Sequence, residues 1–137
     1  MVCVSSKGAY GLAAMLHLGQ NHDRLVQIKD IAKNGDIPQN YLEQLLVQLK
    51  KAGFVESIRG AKGGYKLSAD PKELTVFQIL SALEGDLVCY ERYATASRTL
   101  NHFWADTSRQ IEAIFALPLQ DLVEKSKQMD SAAMYHI

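Results

Sequence analysis

Cysteine is nearly absent from this chain, with Cys3 and Cys89 the only two among 137 residues. Two thiols cannot build the disulfide framework of a small secreted protein. Long apolar runs are missing too, and no stretch reaches the roughly 18 residues of a membrane-spanning helix. Residues 8–19 have the apolar character of a short signal-peptide core. His17 interrupts them, however, only Lys7 precedes them as a cation, and no small-residue cleavage site is convincing. A soluble cytoplasmic protein with no membrane partner is expected. There is no internal repeat and no low-complexity tract. Net charge is also lacking, since 15 basic residues meet 15 acidic ones.

What is present is ordinary for a folded chain, with 47% hydrophobic and 22% charged residues. The length suits one domain with an appended element. Charge becomes informative once the chain is divided. Residues 1–70 hold nine basic and six acidic residues, a balance of +3, and residues 71–137 hold six and nine, a balance of −3. The sign favours nucleic-acid contact by the N-terminal half, with the acidic half held away from phosphates.

Ser5 or Ser6 can cap a first helix to about residue 21, with Ala9, Leu12, Ala13 and Leu16 on one face. A second helix is expected over 27–33, closed by the turn signal Asn34-Gly35-Asp36. Pro38 suits the first position of a third helix, which Gly53 would end in a left-handed cap. Leu42, Leu45, Leu46 and Leu49 share the inner face of that helix. Gln39, Asn40, Glu43, Gln44 and Val47 take the outer one. Residues 54–58 and 64–67 read as two strands joined by the tip 59–63. Thr75 can cap a fourth helix over 76–84, closed by Gly85. Residues 86–93 show no period, a long helix follows over about 94–116, and Pro118 opens a last short helix over 119–127. The tail 132–137 is unusually apolar.

A polar helix followed directly by a glycine-rich basic hairpin suits two grooves of DNA. Asn and Gln can bond adenine bidentately, and a carboxylate can accept from cytosine N4. Asn40 and Glu43 are three residues apart and so share one face, near the helix end that usually enters the major groove. Phosphates would repel a carboxylate, so a DNA-facing Glu43 must read a base or orient a neighbour. A solvated glutamate, or one paired with Lys50 or Lys51, accounts equally for Glu43 taken alone. Gly60, Gly63 and Gly64 permit a tight tip. Arg59 can enter a narrow minor groove, and Lys62, Lys66 and Lys7 can neutralise phosphates. A plain turn is the alternative for the tip. A nucleotide loop is disfavoured because neither G-x-x-x-x-G-K-[ST] nor G-x-G-x-x-G occurs. The DNA-contacting set expected is therefore Lys7, Gln39, Asn40, Tyr41, Glu43, Gln44, Lys50, Arg59, Gly60, Lys62, Gly63 and Tyr65.

The long helix carries Leu100, Phe103, Trp104, Ile111, Ile114 and Phe115 at three- and four-residue steps. Packing on its copy in a second chain would bury that stripe, and folding back on its own head is the alternative. The fold class expected is mainly α with a small two-stranded β-wing: a winged helix-turn-helix over 1–85, then a sensor loop, long dimerisation helix and C-terminal helix over 86–137. His17 is expected in the core or an interface.

Several pieces together resemble the IscR/CymR-type (Rrf) family of bacterial winged-helix transcription regulators, named for regulators of iron–sulfur-cluster assembly and of cysteine metabolism. They are Ser6-Lys7-Gly8 with Tyr10-Gly11-Leu12, Ile31-Ala32, Tyr41-Leu42-Glu43-Gln44-Leu45, Leu49-Lys50-Lys51-Ala52-Gly53, Ser57-Ile58-Arg59-Gly60-Ala61 with Gly63-Gly64-Tyr65, and Leu83-Glu84-Gly85. The match is dense over residues 1–86, with weaker echoes at Trp104, 119–122 and Met134-Tyr135. The resemblance implies a homodimer on a roughly palindromic operator in double-stranded DNA, with Glu43 as base-reading glutamate and Arg59 as wing arginine. Ala9 departs from the family's usual basic residue, and Pro38 from a common capping hydroxyl.

The largest departure is in the sensor region. Cluster-bearing members place three cysteines between the fourth and long helices, where this chain has Cys89 alone. One thiolate cannot hold an iron–sulfur cluster without several unusual ligands, and the spacing of Cys89, Tyr90, Glu91 and His102 supports no other metal site. No cofactor is expected. Cys89 reads either as a redox-active thiol, its pKa lowered by Arg92, or as an apolar residue under the dimer helix. Without the cluster cysteines the chain looks closer to the cysteine- and sulfur-metabolism branch. That likeness implies a cysteine-biosynthetic enzyme or a small-molecule effector as partner. A winged-helix protein-interaction adaptor is the rival function. A small Cys/His enzyme is not expected, because Cys89 and His102 lack an orienting partner and no nucleophile motif occurs.

Overall fold

The fold begins at a serine cap. Ser5 accepts the Lys7 N–H at 3.2 Å and opens α1, Ser6–Gln20, in the computed structural model, which describes residues 4–85, 87 and 96–135, the side chains of 134 and 135 excepted. Cys3, Cys89 and the start of the long helix at 94–95 lie outside the described residues.

Three further helices and a hairpin complete the head. They are α2 (Ile28–Gly35), α3 (Gln39–Lys51), β1 (Val55–Ile58), β2 (Gly64–Leu67) and α4 (Val76–Glu84). Then come α5 (Arg98–Ile114) and α6 (Leu119–Tyr135). The strands are antiparallel, with Val55 opposite Leu67 and Ile58 opposite Gly64. Val26 adds a third, single-residue rung, exchanging both backbone hydrogen bonds with Tyr65 at 2.9 and 2.8 Å. That rung sets the start of α2 against the hairpin.

The inner face of α3 is the expected one, with Leu42, Leu45, Leu46 and Leu49 all buried. They meet Met15 and Leu18 of α1, Ile31 of α2, Ile79 of α4 and Leu119 of α6 in one core. The face expected of α1 is a correction. Ala9 is exposed, and Leu12, Ala13 and Leu16 are only partly covered, while Gly8, Gly11, Ala14, Met15, Leu18 and Gly19 are buried. Close approach decides this. A Cβ at Gly11 would overlap Leu83 Cδ1 of α4, and one at Gly19 would lie 2.8 Å from Val123 Cγ2 of α6. Small residues let three helices meet where larger ones would hold them apart.

Other boundaries move for local reasons. Helix α2 runs through Gly35, because the left-handed residue that ends it is Asp36 (φ 51°). Pro38 is the cap before α3 and offers no side-chain cap, and Gly53 takes φ 82° just beyond the helix end. Helix α4 has the expected bounds and a reciprocal capping box between Thr75 and Gln78. Helix α5 starts at Arg98 because the Ser97 hydroxyl caps it, accepting the Leu100 N–H at 3.2 Å.

The last helix is 17 residues long and runs eight residues past its expected end at 127, because the Ala-rich tail continues its favourable helical run. It packs back on α1, with Gln20 Nε2 donating to Ser126 Oγ at 2.6 Å. Both ring nitrogens of His17 are buried without a hydrogen-bond partner. Burial first, then the nearby Arg24 charge, holds its pKa below 6.5 against smaller opposing influences from Asp30 and Gln20.

Candidate nucleic-acid interface

Helical geometry places Asn40, Glu43 and Val47 on successive turns of one outward stripe of α3, flanked by Gln39, Gln44 and Lys50. All six are exposed, and Glu43 pairs with neither Lys50 nor Lys51: the ion pairs among the described residues are Lys66–Glu56 and Arg109–Asp106. Lys50 instead donates to Ser57 Oγ at 2.9 Å, tying α3 to the first strand of the wing. The carboxylate at the front of the helix is therefore free to meet a partner.

The wing tip stands across from that stripe. Arg59, Gly60 and Lys62 are exposed, and Gly63 donates to the Gly60 carbonyl at 3.0 Å to close the turn. Gly60 has φ 120°, a conformation side chains rarely adopt, and a Cβ at Gly63 would strike the Ile58 carbonyl. The tip is thus the shape of its glycines, and it projects two cations. Lys66, also expected at phosphates, pairs with Glu56 at 3.1 Å on the neighbouring strand.

Between α3 and the wing lies an open cleft of about 610 Å³. Gln27 and Ile28 form its floor, Val47 and Lys50 one wall, and Ser57, Ile58, Arg59 and Gly63 the other. The floor is the start of α2, where Gln27 makes no side-chain capping bond. The helix end therefore presents unsatisfied N–H groups and a partial positive charge. The cleft thus joins two cations, Lys50 and Arg59, to a helix N-terminus.

Tyr41 and Tyr65 stand apart from the rest of the expected set. Both are partly buried against the core, and Tyr41 meets Tyr10 edge to face at 5.7 Å between ring centres. Lys7 is half-buried at the start of α1. Beside it is a residue that the reading of the sequence did not assign. Glu84, at the end of α4, accepts from Ser5 N at 2.9 Å, Ser5 Oγ at 2.7 Å and Gly8 N at 2.8 Å. Burial raises its pKa, but the Ser5 and Gly8 hydrogen bonds and the Lys7 charge outweigh that and bring the net value below 4.5. Its signal was the acidic residue in Leu83-Glu84-Gly85, but nothing in sequence spacing links it to residues 5–8.

Among the described residues, no group of three His, Cys, Asp or Glu side chains comes together to hold a metal ion, and no helix is long and apolar enough to cross a membrane. The chain has no third thiol to add to Cys3 and Cys89. The residues present therefore do not fit a cluster held by three thiolates of one chain.

Comparison with known proteins agrees with this geometry. A family model described as Rrf2, iron-dependent transcriptional regulator, matches residues 4–125. The HTH-type transcriptional regulator CymR of Bacillus subtilis is 33% identical over 136 residues, covering 98% of this chain and 99% of that one. The solved structure of CymR, titled the global cysteine regulator of B. subtilis, superposes with a TM-score of 0.83 over 91% of this chain and 98% of that one, at 33% identity. A solved IscR from T. potens gives 0.79 over 93% and 90%, again at 33% identity. The chain belongs to the Rrf2 family of DNA-binding transcriptional regulators.

Proposed function

We propose that this regulator acts as a homodimeric repressor on a pseudo-palindromic operator, with residues 1–85 gripping DNA and residues 86–137 providing assembly and sensing. The outward stripe of α3 enters the major groove, where Glu43 and Asn40 read base edges. The cleft seats one sugar–phosphate strand, and Arg59 with the wing enters the adjoining minor groove. Lys7 and Lys62 neutralise phosphates. One observation carries this reading: Val47 and Lys50 of α3 and Arg59 of the wing line a single cleft, with the exposed Glu43 one helical turn from Val47 on the same stripe.

The chain acts without an iron–sulfur cluster, a reading supported by its single cysteine in the sensor region. It works in the cytoplasm, is not an enzyme, and controls genes of cysteine or sulfur metabolism, as the likeness to CymR suggests. Its signal arrives through a cysteine-biosynthetic enzyme or a small-molecule effector. Helix α5 favours the dimer, since none of its residues is buried within one chain and Phe103 and Ile114 are 53% and 70% exposed.

Gel shifts on the fragment upstream of its own gene, titrated with salt, test the reading. Specific retention is expected over competitor DNA, with log affinity falling linearly against log salt by roughly 0.9 for each phosphate neutralised. A chain that retains no fragment above competitor would instead be a protein-binding adaptor.

A further inference from the structure

Every outward position of α3 but one is polar. Gln39, Asn40, Glu43, Gln44, Lys50 and Lys51 surround Val47, which is 51% exposed at the centre of the stripe, one turn beyond Glu43. Single exposed apolar residues are common on protein surfaces, so its exposure alone means little. Its place is what matters. It belongs neither to the core nor to the residues packed against it, and it shares the outward stripe of the side chains that would read bases.

A major groove is lined with hydrogen-bonding edges and offers one apolar group, the C5-methyl of thymine. A valine can distinguish bases there only through that methyl. We propose that Val47 is a specificity-determining residue that reads a thymine C5-methyl group; this rests on the DNA-binding reading above. Val47 lies four residues beyond Glu43, about 6 Å along the helix at about 1.5 Å per residue. With base pairs stacked about 3.4 Å apart, the thymine falls within about two base pairs of the position Glu43 reads. Ile58, 47% exposed on the opposite wall of the cleft, leads into the wing and is placed for sugar contact rather than a base.

The test removes the methyl from the DNA and the valine from the protein in turn. Site selection from a randomised duplex pool defines the preferred operator. Fluorescence polarisation then compares duplexes in which each thymine of a half-site is singly replaced by deoxyuridine, using the full-length protein, Val47→Ser and Ile58→Ser. Val47→Ser is a half-exposed change and leaves the fold intact.

For the unaltered protein, one replacement near the Glu43 position should weaken binding about fourfold, the equivalent of one buried methyl group. For Val47→Ser that replacement should have no effect, and for Ile58→Ser the fourfold loss should persist. The proposal is overturned if no replacement separates Val47→Ser from the unaltered protein, if Ile58→Ser loses the methyl dependence instead, or if no thymine is selected in that window. A pool that enriches no sequence would sink the DNA-binding reading itself, which enrichment without a methyl effect would leave standing.

Discussion

Glu43 and Lys62 sit within the same surface but should fail in different ways, because one carries information and the other charge. Glu43 is an exposed carboxylate with no cation beside it on its own helix. Removing it in Glu43→Ala relieves some repulsion from phosphates while erasing an acceptor for a base edge. Discrimination at one or two base pairs should fall by about 1–3 kcal/mol each, with non-specific affinity unchanged or slightly raised. An unaltered base preference in a randomised-site selection would show that this carboxylate reads nothing. Lys62, exposed on the wing tip, makes no ion pair among the described residues. Lys62→Ala should weaken binding to every sequence alike and reduce the slope of log affinity against log salt by about one. A change in base preference without a change in slope would reverse the two roles.

At the scale of elements, the sequence was legible where period and local chemistry agree. Four leucines at helical spacing named the buried face of α3, and Thr75 named the start of α4. The wing followed from its glycines, with Gly60 at φ 120° and Gly64 at φ 154°. Elements were misread where position depends on chain far away. The most deeply buried face of α1 is set by glycines that admit Leu83 and Val123, and of the face read from Ala9, Leu12, Ala13 and Leu16 only Leu12 and Ala13 pack against the core. Strand register puts Glu56 opposite Lys66, an ion pair that spacing along the chain does not show.

Glu84 is the strongest instance, since it closes the start of α1 from 76 residues away, through the Gly8 N–H. Glu84→Ala leaves those donors to water and should lower stability by about 1 kcal/mol, the low end for such bonds because solvent reaches the carboxylate. The sign with pH follows from the net lowering of its pKa. The contribution is present above about pH 4.5, the ordinary value of the unfolded chain, and is lost as pH falls through the lower folded value. Denaturant titrations of both proteins should therefore differ at pH 7 and converge in strong acid. A gap that persists in acid would mean that packing, rather than the ionised carboxylate, is what Glu84 supplies.

For the whole molecule the decisive question is what covers α5. The helix is 17 residues long, its two ends are fixed by the Ser97 cap and by the bonds of Phe77 N and Val76 N to the Phe115 and Leu117 carbonyls, yet none of its residues is fully buried. Folding back on its own head would have hidden Phe103 or Ile114, and both are more than half exposed. A two-fold partner hides the same stripe twice and holds two α3 helices at a fixed spacing. Two recognition helices reading successive major grooves on one side of a duplex stand about 34 Å apart, one helical turn. Replacing both Phe103 and Ile114 with Asp should then do two linked things. In analytical ultracentrifugation the protein should sediment as a monomer with its helical circular dichroism largely kept, because neither side chain contributes to the core. On the operator, hydroxyl-radical footprints of the unaltered protein should show two protected patches about ten base pairs apart, and the double variant should lose both at concentrations where the dimer binds. A variant that still sediments as a dimer would mean α5 is not the seam. One that is monomeric but footprints like the parent would mean each head reads DNA alone, and the half-site spacing would then need another cause.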